Sequence, residues 1–100
     1  MNRLEYLLDC ASEESSEFAV RVSKAMRFGM TEIEPGQGMT NVERFMDELH
    51  DQLAVVFILR AEGHIPRSIP IVPDCDRIAL KLAKIEKFMA LSREQGTLDG

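Results

Sequence analysis

The sequence predicts an all-α fold, an antiparallel helical bundle of three main helices completed by oligomerisation. Three observations carry this. Apolar residues recur at spacings of three and four in three separate stretches, the period of an amphipathic helix. Cap-forming residues open those stretches, and two Gly/Pro-rich connections divide them. The run Leu53-Ala54-Val55-Val56-Phe57-Ile58-Leu59 is apolar on every side, so a helix there must be buried all round. Three helices of one short chain can scarcely cover it, which implies partner helices from further copies.

Asn2 is suited to cap the first helix, with Glu5 three residues on. Leu4, Leu7, Leu8, Ala11, Phe18, Val22 and Ala25 then give a stripe, and Gly29 closes a helix over 3–28. Residues 29–39 hold Pro35, Gly36 and Gly38 and read as a mobile loop. Thr40-Asn41-Val42-Glu43 matches a capping box, opening a second helix over 41–62 that Gly63 stops. Its expected core stripe is Val42, Phe45, Met46, Leu49, Leu53 and Val56. Pro66, Pro70 and Pro73 make the next segment an extended crossover. Asp74 can cap a third helix over 75–95, with Ile78, Leu82, Ile85 and Met89 as its stripe and Gly96 at its end.

One hundred residues make one domain, 1–100. A formal charge of −5 argues against a general nucleic-acid binder, which needs a basic surface. It leaves room for a small anionic ligand at a local basic patch. The longest apolar run is the seven residues 53–59, so no membrane span is expected. The N-terminus, with Glu5 and Asp9 among its leucines, lacks a signal pattern. Cys10 and Cys75 lie far apart and form no metal-ligand spacing, as expected of reduced thiols in a cytoplasmic protein.

The chemistry lies in the acidic residues. Glu13, Glu14 and Glu17 form E-E-x-x-E on the first helix, and Glu48 and Asp51 form E-x-x-D on the second. Residues i and i+3 share a helix face, so Glu14 projects with Glu17 and Glu48 with Asp51. Both pairs adjoin apolar stripes, where a solvated carboxylate is least expected. Antiparallel packing would bring Glu14, Glu17, Glu48 and Asp51 into one layer. Their mutual repulsion then calls for a hard divalent cation, Mg²⁺ or alternatively Mn²⁺, which takes oxygen ligands and shares them with phosphates. The bland alternative is a solvated acidic face.

Cations form the counterpart. Lys24 shares the Glu17 flank and Arg27 follows before the loop, while Arg77, Lys81 and Lys84 make a strip on the third helix. Such a strip serves solubility or holds a polyphosphate. Asn41 has amide chemistry for a sugar hydroxyl or base edge, and helix capping is the equal alternative.

The segments Ala11-Ser12-Glu13-Glu14-Ser15-Ser16-Glu17, Ser23-Lys24-Ala25-Met26-Arg27-Phe28-Gly29, Thr40-Asn41 and Asp47-Glu48-Leu49-His50-Asp51 resemble the MazG-like all-α nucleotide pyrophosphohydrolases, the small and often phage-encoded members especially. The resemblance covers residues 7–62, with a weaker match through Lys81–Phe88. It implies Mg²⁺-dependent cleavage of a (deoxy)nucleoside triphosphate between its α and β phosphates, by a homodimer or homotetramer. It implies metal ligands at Glu14, Glu17, Glu48 and Asp51, and Glu13 as a group that orients or deprotonates the attacking water. Lys24, Arg27, Lys81 and Lys84 would then hold the triphosphate. Thirty residues separate Glu17 from Glu48, slightly more than is usual in that family, and the excess falls in the Gly/Pro loop. Two other classes fit the same residues: a nucleotide-sequestering protein with little hydrolysis, and a plain helical oligomerisation module.

Overall fold

Each helix begins where a side chain satisfies its first backbone amides. The computed structural model describes residues 1–100 and holds three α-helices and no strand: α1 (Arg3–Phe28), α2 (Asn41–Ala61) and α3 (Cys75–Glu94). Asn2 Oδ1 accepts from the Glu5 amide at 2.8 Å, and Asp74 Oδ1 accepts from the Arg77 amide at 3.0 Å. Thr40 and Glu43 close the expected capping box in both directions. Gly29 ends α1 with φ 99°, a conformation that suits glycine, and its amide donates to Ala25 O at 2.8 Å. No helix is long and apolar enough to cross a membrane.

The chain divides into two compact units, Met1–Ile69 and Pro70–Gly100. The first is an antiparallel hairpin of α1 and α2. At its open end Arg3 donates to both Glu62 carboxylate oxygens, at 2.7 and 2.8 Å. Midway, Ser15 Oγ donates to Gln52 Oε1 at 3.2 Å. At the loop end Asn41 Nδ2 donates to Gly29 O at 2.8 Å. Leu7, Val55 and Leu59 are buried together, with Leu4, Cys10, Ala11 and Ile65 packed round them. Towards the loop the Phe18 and Phe45 rings meet at 4.9 Å between centroids.

On α1 the inward residues are Leu4, Leu7, Ala11, Glu14, Phe18, Arg21 and Ala25, while Leu8 and Val22 face outward. On α2 the seam runs through Asn41, Phe45, Glu48, Gln52, Val55 and Leu59. Of the expected α2 stripe, Phe45 lies in this seam and Val42 and Val56 are half-buried at its edge, while the middle of the stripe is displaced by one residue, about 100° of rotation. Met46, Leu49 and Leu53 are 40%, 36% and 37% exposed. The apolar run 53–59 offers two usable faces, and the one carrying Val55 and Leu59 turns inward against Leu7.

The 29–40 connection is more tightly held than the mobile loop expected. The Val42 amide donates to Met30 O at 2.9 Å and the Asn41 amide to Glu32 O at 3.0 Å. Gln37 N donates to Glu34 O at 2.9 Å across Pro35-Gly36, with Gly36 at φ 86° as this turn requires. In the second unit α3 has no buried residue. After it, the Thr97 and Leu98 amides turn back to Ser92 O, and Arg93 Nε donates to Gly100 O at 2.7 Å.

The corrected seam has a direct test. Leu59→Ala should cost about 2–3 kcal/mol in denaturant unfolding, because it empties a buried position. Leu53→Ala, measured at a concentration where the chain is unassociated, should cost less than about 1 kcal/mol. Equal losses would restore the original stripe.

Candidate functional site

Heptad-like spacing puts carboxylates into a seam that is otherwise largely apolar. Glu14 sits one heptad from Leu7, and Glu48 one heptad from Val55. Each therefore inherits the inward direction of a core residue. The structure brings Glu14, Glu48 and Asp51 together, with one carboxylate oxygen from each lying within 4.8 Å of the others. Glu14 and Glu48 are half-buried, and Asp51 is exposed at the rim. Phe18 and Phe45 lie on one side of this layer and the Leu7–Val55–Leu59 cluster on the other.

Glu48 bears most of the electrostatic load. Its Oε2 is sequestered and has no hydrogen-bond partner. Burial pushes its carboxyl above the usual range, reinforced by the Asp51 charge, the adjacent Glu14 carboxyl and the charge of Glu17. An all-oxygen donor set with an orphaned buried oxygen fits a hard divalent cation, which would satisfy that oxygen and cancel the repulsion. Glu17, the fourth residue expected as a ligand, is exposed and lies beside the cluster rather than within it.

An open cavity of about 300 Å³ adjoins the cluster. Glu17, Glu48 and Asp51 line one part, Arg21, Arg44 and Asp47 another, and Gln37 and Met39 bring the loop to its edge. Arg21 and Arg44 escaped the sequence reading, although the signal was present. Arg21 stands one heptad after Glu14, and Arg44 one turn before Glu48. Arg21 Nη1 is sequestered without a hydrogen-bond partner, the cationic counterpart of Glu48 Oε2. Arg44 Nη1 donates to Glu34 Oε2 of the loop at 2.6 Å. The Glu34 carboxyl is held below the usual range by that hydrogen bond, helped by the charges of Lys24, Arg44 and Arg21 against some desolvation.

The other expected residues are more dispersed. Lys24 lines a second cavity of about 220 Å³ with Phe28, Glu32, Glu34, Pro35 and Asn41. Its Nζ lies 5.9 Å from the Phe28 ring centroid, and the Arg27 guanidinium lies 5.2 Å from it. Asn41 is buried, 3% exposed, and its amide hydrogens go to Gly29 O and Glu32 Oε2, both at 2.8 Å. It clamps the loop, so its amide nitrogen is not free for a sugar or base, and Thr40 does the capping. Glu13 is exposed and outside the cavity lining. His50 faces outward with Nδ1 2.8 Å from Met46 O. Lys81 and Lys84 lie on α3 in the second unit, where with Arg77 they line a separate open cavity of about 510 Å³.

The fold and this cluster define a class: an all-helical protein with carboxylates projecting into a helix–helix seam. Comparison with protein-family models, curated proteins and solved structures finds no match to the chain.

The raised Glu48 carboxyl sets a pH dependence. A folded state that holds this proton more tightly than the unfolded chain gains stability below the unfolded value and loses it as pH rises through the folded value. At neutral pH in chelator, Glu48→Gln should therefore melt above the parent, being neutral in the same place. Saturating Mg²⁺ should reverse the order by stabilising only the parent, by about 2.7 kcal/mol at a hundredfold excess over Kd. Thermal melts in both conditions decide it, and an order that ignores Mg²⁺ counts against a metal centre.

Proposed function

We propose that the chain is a Mg²⁺-dependent nucleoside triphosphate pyrophosphohydrolase, acting as a homo-oligomer and releasing pyrophosphate and the nucleoside monophosphate. The observation that carries this is the convergence of Glu14, Glu48 and Asp51 within 4.8 Å, next to a cavity that also holds Arg21 and Arg44. Acidic oxygens beside guanidinium groups suit a metal-complexed phosphate chain better than either suits a neutral substrate. The resemblance in residues 7–62 supplies the reaction type and the choice of the α–β bond.

In this reading Glu14, Glu48 and Asp51 hold the cation, with Glu17 completing the set from the next turn of α1. Bound there, Mg²⁺ supplies Lewis-acid stabilisation of phosphoryl oxygens. Arg21 and Arg44 orient the phosphates across the cavity. Glu13 can serve a water only after a change of rotamer or with a partner helix beside it, because it is exposed. Lys24 and Arg27 flank the Phe28 ring at the mouth of the second cavity and can meet the outer phosphates or the sugar.

The homo-oligomer rests on exposed apolar surface. Met46, Leu49, Leu53, Phe57 and Ile58 on α2 are 36–56% exposed, and the only hydrophobic residues buried in the whole chain are Leu7, Ala25, Val55 and Leu59. Covering such a face by a second hairpin makes a helical bundle.

Incubation with a panel of deoxynucleoside and ribonucleoside triphosphates should give Mg²⁺-dependent pyrophosphate release. Glu48→Gln and Asp51→Asn should lower kcat by at least about a hundredfold, the scale of losing a principal electrostatic group. Full turnover in Glu48→Gln rejects the assignment, and stoichiometric retention without release points to sequestration. Light scattering at micromolar concentration should report a dimer or tetramer.

A further inference from the structure

Helix α3 has 20 residues and none of them is buried. A helix of that length draws most of its stability from packing one amphipathic face. Such a face is present. Cys75, Ile78, Leu82, Ile85 and Met89 follow one another at intervals of three, four, three and four, the alternating a and d positions of a heptad. Ile78, Leu82, Ile85 and Met89 are between 38% and 58% exposed. Beyond them the chain turns back, with the Thr97 and Leu98 amides donating to Ser92 O, so the stripe ends with the helix. A strict a/d stripe is the seam of a coiled coil, narrower than the face a helix offers to a globular core.

The residues beside the stripe say what covers it. Lys81 stands at a g position and Glu86 at the e position five residues on. Parallel strands in register bring g of one helix to e of the next heptad on its neighbour, so Lys81 meets Glu86 of the partner subunit. Antiparallel strands set g against g and e against e, which parts these two charges. The core positions set the number of strands. Leu82 and Met89 occupy a, while Ile78 and Ile85 occupy d, the reverse of the two-stranded preference and a pattern that favours three or four strands. Ala79 at e and Phe88 at g agree with this, because each helix of a wider bundle has a neighbour on both flanks of its stripe.

We propose that α3 assembles with the α3 helices of other copies into a parallel, in-register, four-stranded coiled coil, with Lys81–Glu86 pairs between neighbouring strands. The count of four rests on the pairing of hairpins through α2 given above. Hairpins that associate in twos bring their α3 helices in twos, and the seam requires more than two. Arg77 and Lys84, both at c, then stay on the outer surface of the bundle.

Light scattering on the full chain should give four chains, and Ile85→Asp should leave two, held by α2 alone. Leu80→Asp, on the opposite side of α3, should leave four. A parent of one or two chains overturns the proposal, and so does a mass that Ile85→Asp does not change. Direction is read at Cys75, which is exposed at the first a position. A short bismaleimide should join Cys75 to Cys75 between parallel strands, and the product should be lost in Cys75→Ser and in Ile85→Asp. Antiparallel strands set Cys75 level with Ser92 and part the thiols by about 25 Å. A parent without the cross-link overturns the proposal, even where Ile85→Asp lowers its mass, since α3 then covers its stripe elsewhere. Lys81→Glu and Glu86→Lys should each raise the concentration at which the four-chain form dissociates by at least about tenfold, summed over four exposed pairs. The double swap should restore it to within about threefold, and a loss that the swap leaves unrepaired overturns the register. Leu53→Asp in the α2 face tests the pairing of hairpins separately, because the Cys75 cross-link survives it wherever α3 assembles by itself.

Discussion

Antiparallel contact between α1 and α2 puts Glu14 and Glu48 into the same layer of one seam, and the rest of the first unit is arranged round that placement. Two acidic side chains at a helix–helix interface oppose the association that brings them together. The contact persists because favourable packing brackets them. Leu7, Val55 and Leu59 close the seam on one side, and the tilted pair of Phe18 and Phe45 rings closes it on the other. The acidic layer is thus a local cost carried by its neighbours, the usual relation between a functional site and its scaffold.

The two orphaned polar atoms share this logic. Glu48 Oε2 and Arg21 Nη1 are sequestered, opposite in charge and on facing helices, yet they do not pair. An interior built for stability alone would join them or replace both by apolar groups. Separated, they leave carboxylates and guanidinium groups together on the lining of a single cavity. That mixture suits an anion carrying a bound cation better than either charge alone.

Much of the fold was legible because caps and glycines act locally. Asn2, Thr40-Glu43, Asp74 and Gly29 fixed the helix ends within one residue of those observed. The pairing of Glu14 with Glu48 and Asp51 was likewise legible from spacing alone. Which face of α2 turns inward was not. Leu53–Leu59 is apolar all round, so periodicity cannot choose a side, and only the packing of Val55 and Leu59 against Leu7 of α1 shows which side is taken. Arg21 and Arg44 were missed for a related reason: a charged residue in a seam reads as surface until its heptad neighbours are known. Asn41 was ambiguous because one amide can cap, bind or brace, and only the positions of Gly29 and Glu32 show that it braces.

Arg3 and Glu62 close the hairpin far from the acidic layer, with both guanidinium-to-carboxylate bonds shorter than 3 Å. Such a pair at the surface adds little to net stability. Its two parallel bonds form in one alignment of the helices, the one that the packing of Leu7 with Val55 and Leu59 holds. Sliding α2 by one turn moves every residue about 5.4 Å. That shift is larger than the 4.8 Å within which the three carboxylates gather. The acidic residues repel and cannot hold their own alignment. The hairpin therefore works like a vernier held from both ends, by the Leu7–Val55–Leu59 packing with Arg3–Glu62 beyond it at one and by Asn41 at the loop at the other, and the spacing of the site is set by residues outside it.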